Sequence, residues 1–320
     1  MTGENARRIA VVGAGITGLT VARRLNDLGF SVTVFDKGRS LGGRLSTRVS
    51  GDFAFDHGAP TLYADRAPFQ HMLAHLEESG SATAWPPDVA HSVTGIPRMN
   101  ALLAPLANGL DVRNGADVTS LIEGDGGWTV SLKAEAPETG FSAVAVTIPA
   151  PQALALAGPF LSQQTRDNIA NVAYRPCMTM LAAFESRLPI ATGAPPPSGF
   201  DLDAQIRNNA KPGRLDGADQ WVVHADEAWS RANTETEKDD IAAALLERFC
   251  TANQLGNVTP TYLRGHRWRY AFVSQPLGPS HMWAADRALG LAGDWCRGPD
   301  AEHGFESAIA LSEAIRETLG

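Results

Sequence analysis

Lysine is scarce in this 320-residue chain: Lys37, Lys133, Lys211 and Lys238 are the only four. Chemistry that needs a lysine has few places to find one. Cysteine is scarcer. Cys177, Cys250 and Cys296 lie far apart and form no CxxC pair or other metal-type spacing. A low, odd count gives no disulfide framework and suits a reducing cytosol, so a cytoplasmic location is expected. Positive charge is in deficit: 27 Lys+Arg against 35 Asp+Glu leave a formal charge of −8. An acidic chain without a basic cluster argues against nucleic acid or an anionic membrane as partner. The longest uncharged stretch, 142–164, carries Pro149, Pro151 and Pro159, and its first half reads as a strand, which argues against a membrane span. Arg7 and Arg8 before an apolar run look superficially like a leader, but Gly13, Gly15 and Gly18 interrupt that run. There is no G-x-S-x-G, no H-E-x-x-H, no internal repeat and no low-complexity tract. His71 and His75 stand four apart on a predicted helix with no third ligand nearby. They read as a surface pair, and no metal is expected.

What is present is an ordinary globular composition, 44% hydrophobic and 19% charged, long enough for about two domains. Ile9 to Val12 reads as a buried strand. A glycine turn follows, then a helix from Ile16 to Leu28, ended by Gly29. Ser31 to Phe35 is a second buried strand, closing on Asp36. This βαβ unit implies parallel strands. Further helices are expected over Ala67–Glu78, Met99–Ala107, Ser162–Ala170, Thr236–Phe249 and Gly304–Leu319. Strands are expected near Ala82–Trp85, Val89–Val93, Leu110–Leu121, Trp128–Leu132, Phe141–Ile148, Met178–Phe184, Trp221–Ala225, Tyr262–Trp268 and Leu289–Ala292. Ala194 to Ser198, with three prolines in a row, reads as a surface loop.

Gly13-x-Gly15-x-x-Gly18, with Ile16 and Thr17 inside it, sits between that first strand and helix. The glycines allow a tight turn, backbone access to a pyrophosphate and close helix–strand packing. The helix N-terminus offers amides to phosphate. Asp36 follows eighteen residues after Gly18, where an acid accepts bonds from ribose hydroxyls and disfavours a 2′-phosphate. A second glycine pair, Gly42-Gly43-Arg44, brings another backbone segment toward the cofactor. Lys37, Arg39 and Arg44 supply positive charge near the diphosphate.

These motifs resemble the flavin-containing amine oxidase superfamily. At the far end, Gly293-Asp294-Trp295-Cys296 followed by Gly304-Phe305-Glu306-Ser307-Ala308 resembles that superfamily's closing flavin motif. The resemblance implies FAD, bound non-covalently. Asp294 sits by its ribityl chain, and the last helix's first residues, Gly304, Phe305 and Ser307, face its pyrimidine edge. It also implies that Val118 touches the adenine, and that His57, Gly58 and Ala59 approach the flavin. Cys296 invites a covalent flavin, but its surroundings depart from such sites. Asn208-x-x-Lys211-Pro212-Gly213-Arg214, Trp221–Ala225 with Trp229-Ser230, and His266-Arg267-Trp268-x-Tyr270 narrow the resemblance to the bacterial renalase branch, across essentially the whole chain.

That resemblance implies an α/β fold: a discontinuous Rossmann-type FAD domain (1–62, 98–150 and 285–320) with an inserted, mainly β substrate domain (63–97 and 151–284) roofing the flavin. It implies oxidation of 2- or 6-dihydro isomers of NAD(P) to NAD(P)+ by hydride transfer to flavin N5, with O2 as reoxidant and H2O2 as product. No essential general base is expected. Trp268, Tyr270, His266, Arg267 and Tyr63 are candidates to line the substrate site. Trp221, Trp229 and His224 read more simply as core. Lys211 is the only lysine placed for an amine-oxidase role. Arg207, Lys211 and Arg214 form a basic cluster for substrate phosphates, or a solvated loop. One run departs from the renalase pattern: Asp56-His57-Gly58-Ala59 continues with Pro60-Thr61 where Gln-Tyr is usual. The alternatives are a flavin amine oxidase or desaturase acting on another small molecule, and a flavin-binding scaffold without turnover.

Overall fold

The computed structural model describes residues 7–256 and 258–320. Residues 1–6, the start of the leader-like stretch, lie outside them. The chain divides into two compact units, 1–43 with 103–173 and 273–320, and 44–102 with 174–272.

The first unit is built on a six-stranded sheet. Its order is Met282–Ala284, Leu289–Leu291, Ala143–Val146, Arg8–Val12, Ser31–Asp36 and Asp111–Asn114. All neighbours run parallel except the first pair. The central strand is apolar because both faces are covered: Ile9, Ala10 and Val11 have no exposure. The helix Ile16–Asp27 makes the crossover and buries Leu19, Ala22 and Leu25. Each such leucine contributes about 1.5–3 kcal/mol by leaving water. An antiparallel sheet of Val118–Gly124, Gly127–Leu132 and Glu138–Phe141 is attached. Its hairpin turns between Gly124 and Gly127, which stand opposite each other.

Two expectations are corrected in this unit. The last helix spans Ala301–Leu319, opening before Gly304, because the Asp300 side chain accepts from His303 N at 3.0 Å. Its buried face includes Glu302, Gly304 and Ser307, while Phe305 and Ile309 are only half-buried. A helix over Ala150–Ala157 was not expected. Pro149 and Pro151 stop the preceding strand but also suit a first helical turn, where a missing N–H costs nothing.

The second unit holds a four-stranded sheet in the order Leu202–Arg207, Asp219–Ala225, Ala173–Phe184 and Tyr262–Gln275. The helix Lys238–Ala252 covers it. Its Ile241, Leu245 and Phe249 pack with Met178, Met180, Trp221 and Val223. A hairpin, Thr47–Ser50 with Phe53–Asp56, belongs here rather than with the nucleotide domain to which a boundary at 62 assigned it. Gln220 Oε1 accepts from Ala54 N at 3.0 Å, and Asn208 Nδ2 donates to Ala54 O at 2.7 Å. A small sheet joins Leu62–Tyr63, Ser92–Gly95 and Ala82–Ala84. The expected strand 89–93 thus lies at 92–95. The expected helix 99–107 is a 3₁₀ turn, Met99–Leu103, then a single helical turn, Ala104–Ala107.

Candidate functional site

In the first unit the expected nucleotide residues converge at the carboxyl ends of the parallel strands. Gly13 has φ +111°, and a Cβ there would lie 2.9 Å from Thr147 Oγ1. A Cβ on Gly18 would stand 1.9 Å from Gly13 O, so only glycine lets the helix start this close to the strand. The helix begins at Ile16 with Gly15 as cap and no side chain on its first amides, which leaves them for a phosphate. Asp36 Oδ2 accepts from Ala14 N and Oδ1 from Gly38 N, both at 2.6 Å. The acid therefore fixes the glycine turn and the loop beyond it. Gly42 N donates to Ala14 O at 3.1 Å, so the second glycine segment lies against the first. Lys37 and Arg39 are exposed beside them.

The closing motif completes this end. A Cβ on Gly304 would meet Thr17 Oγ1 at 2.7 Å and Ile16 Cγ2 and Asp294 N at 3.6 Å. The first and last helices can approach here because that position is bare. Ser307 Oγ accepts from Gly293 N at 3.0 Å, and Asp294 is buried. Phe305 is half-buried, as is Val118 at the start of its strand. Burial pushes the Cys296 thiol up to about 12, so it offers no thiolate.

In the second unit the turn after Asp56 is held by several hydrogen bonds. Asp56 N donates to Asn208 Oδ1 at 3.1 Å, Trp268 Nε1 to His57 O at 2.8 Å, Ala59 N to Arg44 O at 2.9 Å, and Lys211 Nζ to Pro60 O at 3.0 Å. A Cβ on Gly58 would lie 1.9 Å from Arg44 O. Arg44 Nη1 in turn donates to Ala271 O at 3.0 Å. The Asp56 carboxylate accepts from Thr47 Oγ1 at 2.7 Å, Met99 N at 3.0 Å, Lys211 Nζ at 3.0 Å and Arg214 Nη2. Burial opposes its charge, but Lys211 and Arg214 outweigh burial and hold it well below the usual carboxylate range.

His57 packs edge-on to His266 with centroids 4.6 Å apart, and Trp268 lies 5.1 Å from His57 and 4.4 Å from His266. Burial first, then Arg48, draws His57 down to about 4. Burial and His57 take His266 to about 3. Burial and Lys211 take His224 to about 4. All three imidazoles are neutral at pH 7.

Of the substrate-site candidates, His266 and Trp268 are thus brought together with His57. Tyr270 packs instead on Tyr174, ring centres 5.2 Å apart. Arg267, on the opposite face of the strand, donates to Thr234 O and Thr236 O. Tyr63 is 51% exposed on its short strand. Arg207, Lys211 and Arg214 are neither a solvated loop nor a phosphate cluster. Their side chains are at most 3% exposed and paired with Asp219 or Asp56. Trp221 is core, with the Arg207 guanidinium 4.7 Å from its ring centre. His71 and His75 are exposed. Asp56 was quoted in the sequence as part of a motif but not as a site residue. Its signal was the pairing of one acid with a distant Lys-Pro-Gly-Arg run.

Comparison with known proteins agrees with this geometry. Residues 11–76 match the NAD(P)-binding Rossmann-like domain family. A 4,4'-diapophytoene desaturase (4,4'-diaponeurosporene-forming) of Staphylococcus haemolyticus (strain JCSC1435) is 52% identical over 72 residues, 22% of this chain and 14% of that protein. The corresponding Staphylococcus aureus (strain Newman) desaturase is 46% identical over 55 residues, 17% of this chain and 11% of its own length. The whole fold resembles cyclohexylamine oxidase from Brevibacterium oxydans IH-35A (TM-score 0.73, 12% identity, 98% of this chain and 100% of that one). It also resembles putrescine oxidase bound to putrescine (TM-score 0.70, 14% identity, 98% and 99%). The fold is the Rossmann-like dinucleotide-binding fold of these amine oxidases. No helix among the described residues is long and apolar enough to cross a membrane.

Proposed function

We propose that the chain is an FAD-dependent oxidoreductase of renalase type, acting on 2- or 6-dihydro isomers of NAD(P). The first unit fits the cofactor. Gly15 leaves open space, a Cβ there meeting only Gly42 O at 4.0 Å, and the uncapped amides of the first helix stand beside it. Gly13, Gly15, Ile16, Thr17, Gly18, Gly42 and Gly43 would hold the diphosphate, Asp36 the ribose, Val118 the adenine, and Asp294, Gly304, Phe305 and Ser307 the flavin end. FAD is held non-covalently. When bound it supplies a two-electron acceptor that takes hydride from the substrate and returns the electrons to O2 as H2O2.

What supports the substrate reading is the make-up of the second unit's cluster, whose imidazoles are weak bases and whose lysine, lowered by burial to about 8, is already engaged. His57, His224 and His266 are held far below neutrality, and Lys211 is committed to Asp56 and Pro60. An isomeric dihydronicotinamide needs no proton removed, because loss of hydride itself restores the aromatic ring. An ammonium substrate must lose a proton first. His266 and Trp268 are the proposed substrate-side residues, with Tyr270 and Tyr63 as further candidates, while Arg267, on the opposite face of its strand, is not among them. Their task is to place a flat ring and exclude other donors. The second reading, a flavin amine oxidase or desaturase, is supported by the fold of the two amine oxidases and the desaturase match in the nucleotide segment.

The test is anaerobic mixing of the FAD-loaded protein with 2- and 6-dihydro isomers of NAD(P), with β-NADH and simple amines as controls. Rapid bleaching by an isomer alone, recovering in air with peroxide, is the expected result. Bleaching by amines alone would replace this reading with the second.

A further inference from the structure

We infer that Lys211 is a positioning residue for the His57–Pro60 turn. It does not handle protons in the reaction. Turns are normally the loosest part of a fold. This one is held at four backbone groups from three separate segments: Asn208 on Asp56 N and Lys211 on Pro60 O from one, Trp268 on His57 O from a second, and Arg44 on Ala59 N from a third. Lys211 bridges the two ends of the turn, since its Nζ donates to Asp56 Oδ2 and to Pro60 O, each at 3.0 Å. The ammonium also lies 5.3 Å from the Trp85 ring centre, and the side chain has no exposure. An ammonium has three donors and no acceptor. Two are spent across the turn and the Trp85 indole stands near the ammonium, an arrangement that suits a holding role.

The surrounding bonds support the same role. Arg214, the other cation on Asp56, donates to Gly95 O at 2.7 Å and to Thr94 Oγ1 at 3.2 Å. One buried carboxylate thereby ties the 47–60, 94–99 and 208–214 segments. Each added anchor narrows the positions open to His57 and Gly58, which is what a precise presenting turn requires. The inference concerns the chain's own backbone and does not depend on which molecule is oxidised.

The test is amide hydrogen exchange on the FAD-loaded protein and on the protein stripped of FAD, for wild type, Lys211→Gln and Lys211→Arg. In wild type the Ala59 amide should exchange as slowly as the amides of the strand Asp219–Ala225. In Lys211→Gln, exchange across 57–60 should rise at least tenfold, with that strand unchanged. Lys211→Arg keeps the charge and should recover most of the protection. Fast exchange at Ala59 in wild type would overturn the inference without any variant having to fold. So would a Lys211→Gln protein with unchanged exchange across 57–60.

Discussion

Acid should loosen this protein through its histidines before it does so through its carboxylates. His57 and His224, at about 4, and His266, at about 3, lie below the value near 6.5 of an unfolded histidine. At pH 5 an unfolded histidine is about 97% protonated, whereas a group at 4 is about 9% protonated and one at 3 about 1%. The unfolded chain therefore binds more protons, so stability falls as pH falls through this window and is fully present above about 6.5. The three sites together account for about 2.7 protons, or a slope near 4 kcal/mol per pH unit. His281, drawn down by partial burial, adds in the same direction. The low carboxyl of Asp56 acts mainly below about pH 4, and Glu227, Glu235 and Asp111, held down by their arginines, add only a smaller share in the same direction between about 4.5 and 5.5, where the imidazoles dominate. Urea unfolding followed by tryptophan fluorescence at several pH values would measure the slope. His224→Gln should reduce it by about 1.2 kcal/mol per pH unit, whatever its cost at pH 7. A wild-type slope under about 1 kcal/mol per pH unit would refute the reasoning, because buried neutral imidazoles must take up protons when released.

Gly18→Val places carbon where Gly13 O already stands at 1.9 Å from a Cβ, so the helix must back away from the strand. The purified variant should lose its yellow colour and about 1–3 kcal/mol of stability; a variant that keeps FAD at wild-type occupancy would contradict the cradle. Acid precipitation of the loaded protein should leave all flavin in the supernatant, for wild type and Cys296→Ser alike, because the Cys296 thiol stays protonated. Asp219→Asn strips the buried Arg207 guanidinium of its counter-charge and should cost about 3–5 kcal/mol of unfolding free energy, read by denaturant titration. A loss below 1 kcal/mol would mean that the pair is not sealed from water.

The nucleotide end was legible because its signals are backbone signals. A β-branched run, glycines at fixed offsets and an acid at a strand end each demand one local geometry, and they sit in one unit. The helices Ile16–Asp27 and Ala67–Glu78 show the periodicity that burial of one face imposes. The strand Leu202–Arg207 was not legible. It reads Leu-Asp-Ala-Gln-Ile-Arg, and Gln205 and Arg207 are buried because remote groups pair them: Asn253 for one, Asp219 for the other. No pattern of apolar residues can announce such a strand. The Asp56 cluster was hidden for the same reason. Lys211 and Arg214 look like surface charge until an acid 155 residues upstream of the lysine is placed against them. The closing helix shows a subtler failure. Phe305 and Ile309 are apolar yet only half-buried, whereas Gly304 and Ser307 are what the first helix and Gly293 require there.

The departure from the renalase pattern at position 60 falls where the chain uses a carbonyl. Pro60 supplies an acceptor to Lys211 at 3.0 Å and to Thr94 Oγ1 at 3.4 Å. Any residue carries that carbonyl, and proline adds a fixed φ that stiffens the turn. The glutamine usual in the resemblance would add an amide side chain without touching the clamp. Pro60→Gln should therefore keep Asp56, Lys211 and Arg214 as they are. It should cost no more than about 1 kcal/mol, mainly through the added freedom of the unfolded chain. The affinity of the stripped protein for FAD should stay within about threefold, a change of about 0.7 kcal/mol, while the ranking of dihydronicotinamide isomers as flavin reductants changes. Titration of the stripped variant with FAD, together with anaerobic bleaching rates, separates the two effects. A loss of more than about 3 kcal/mol on unfolding would show that the proline ring itself fills a gap that a flexible side chain cannot, and the substitution would then be a packing change before it is a change of substrate.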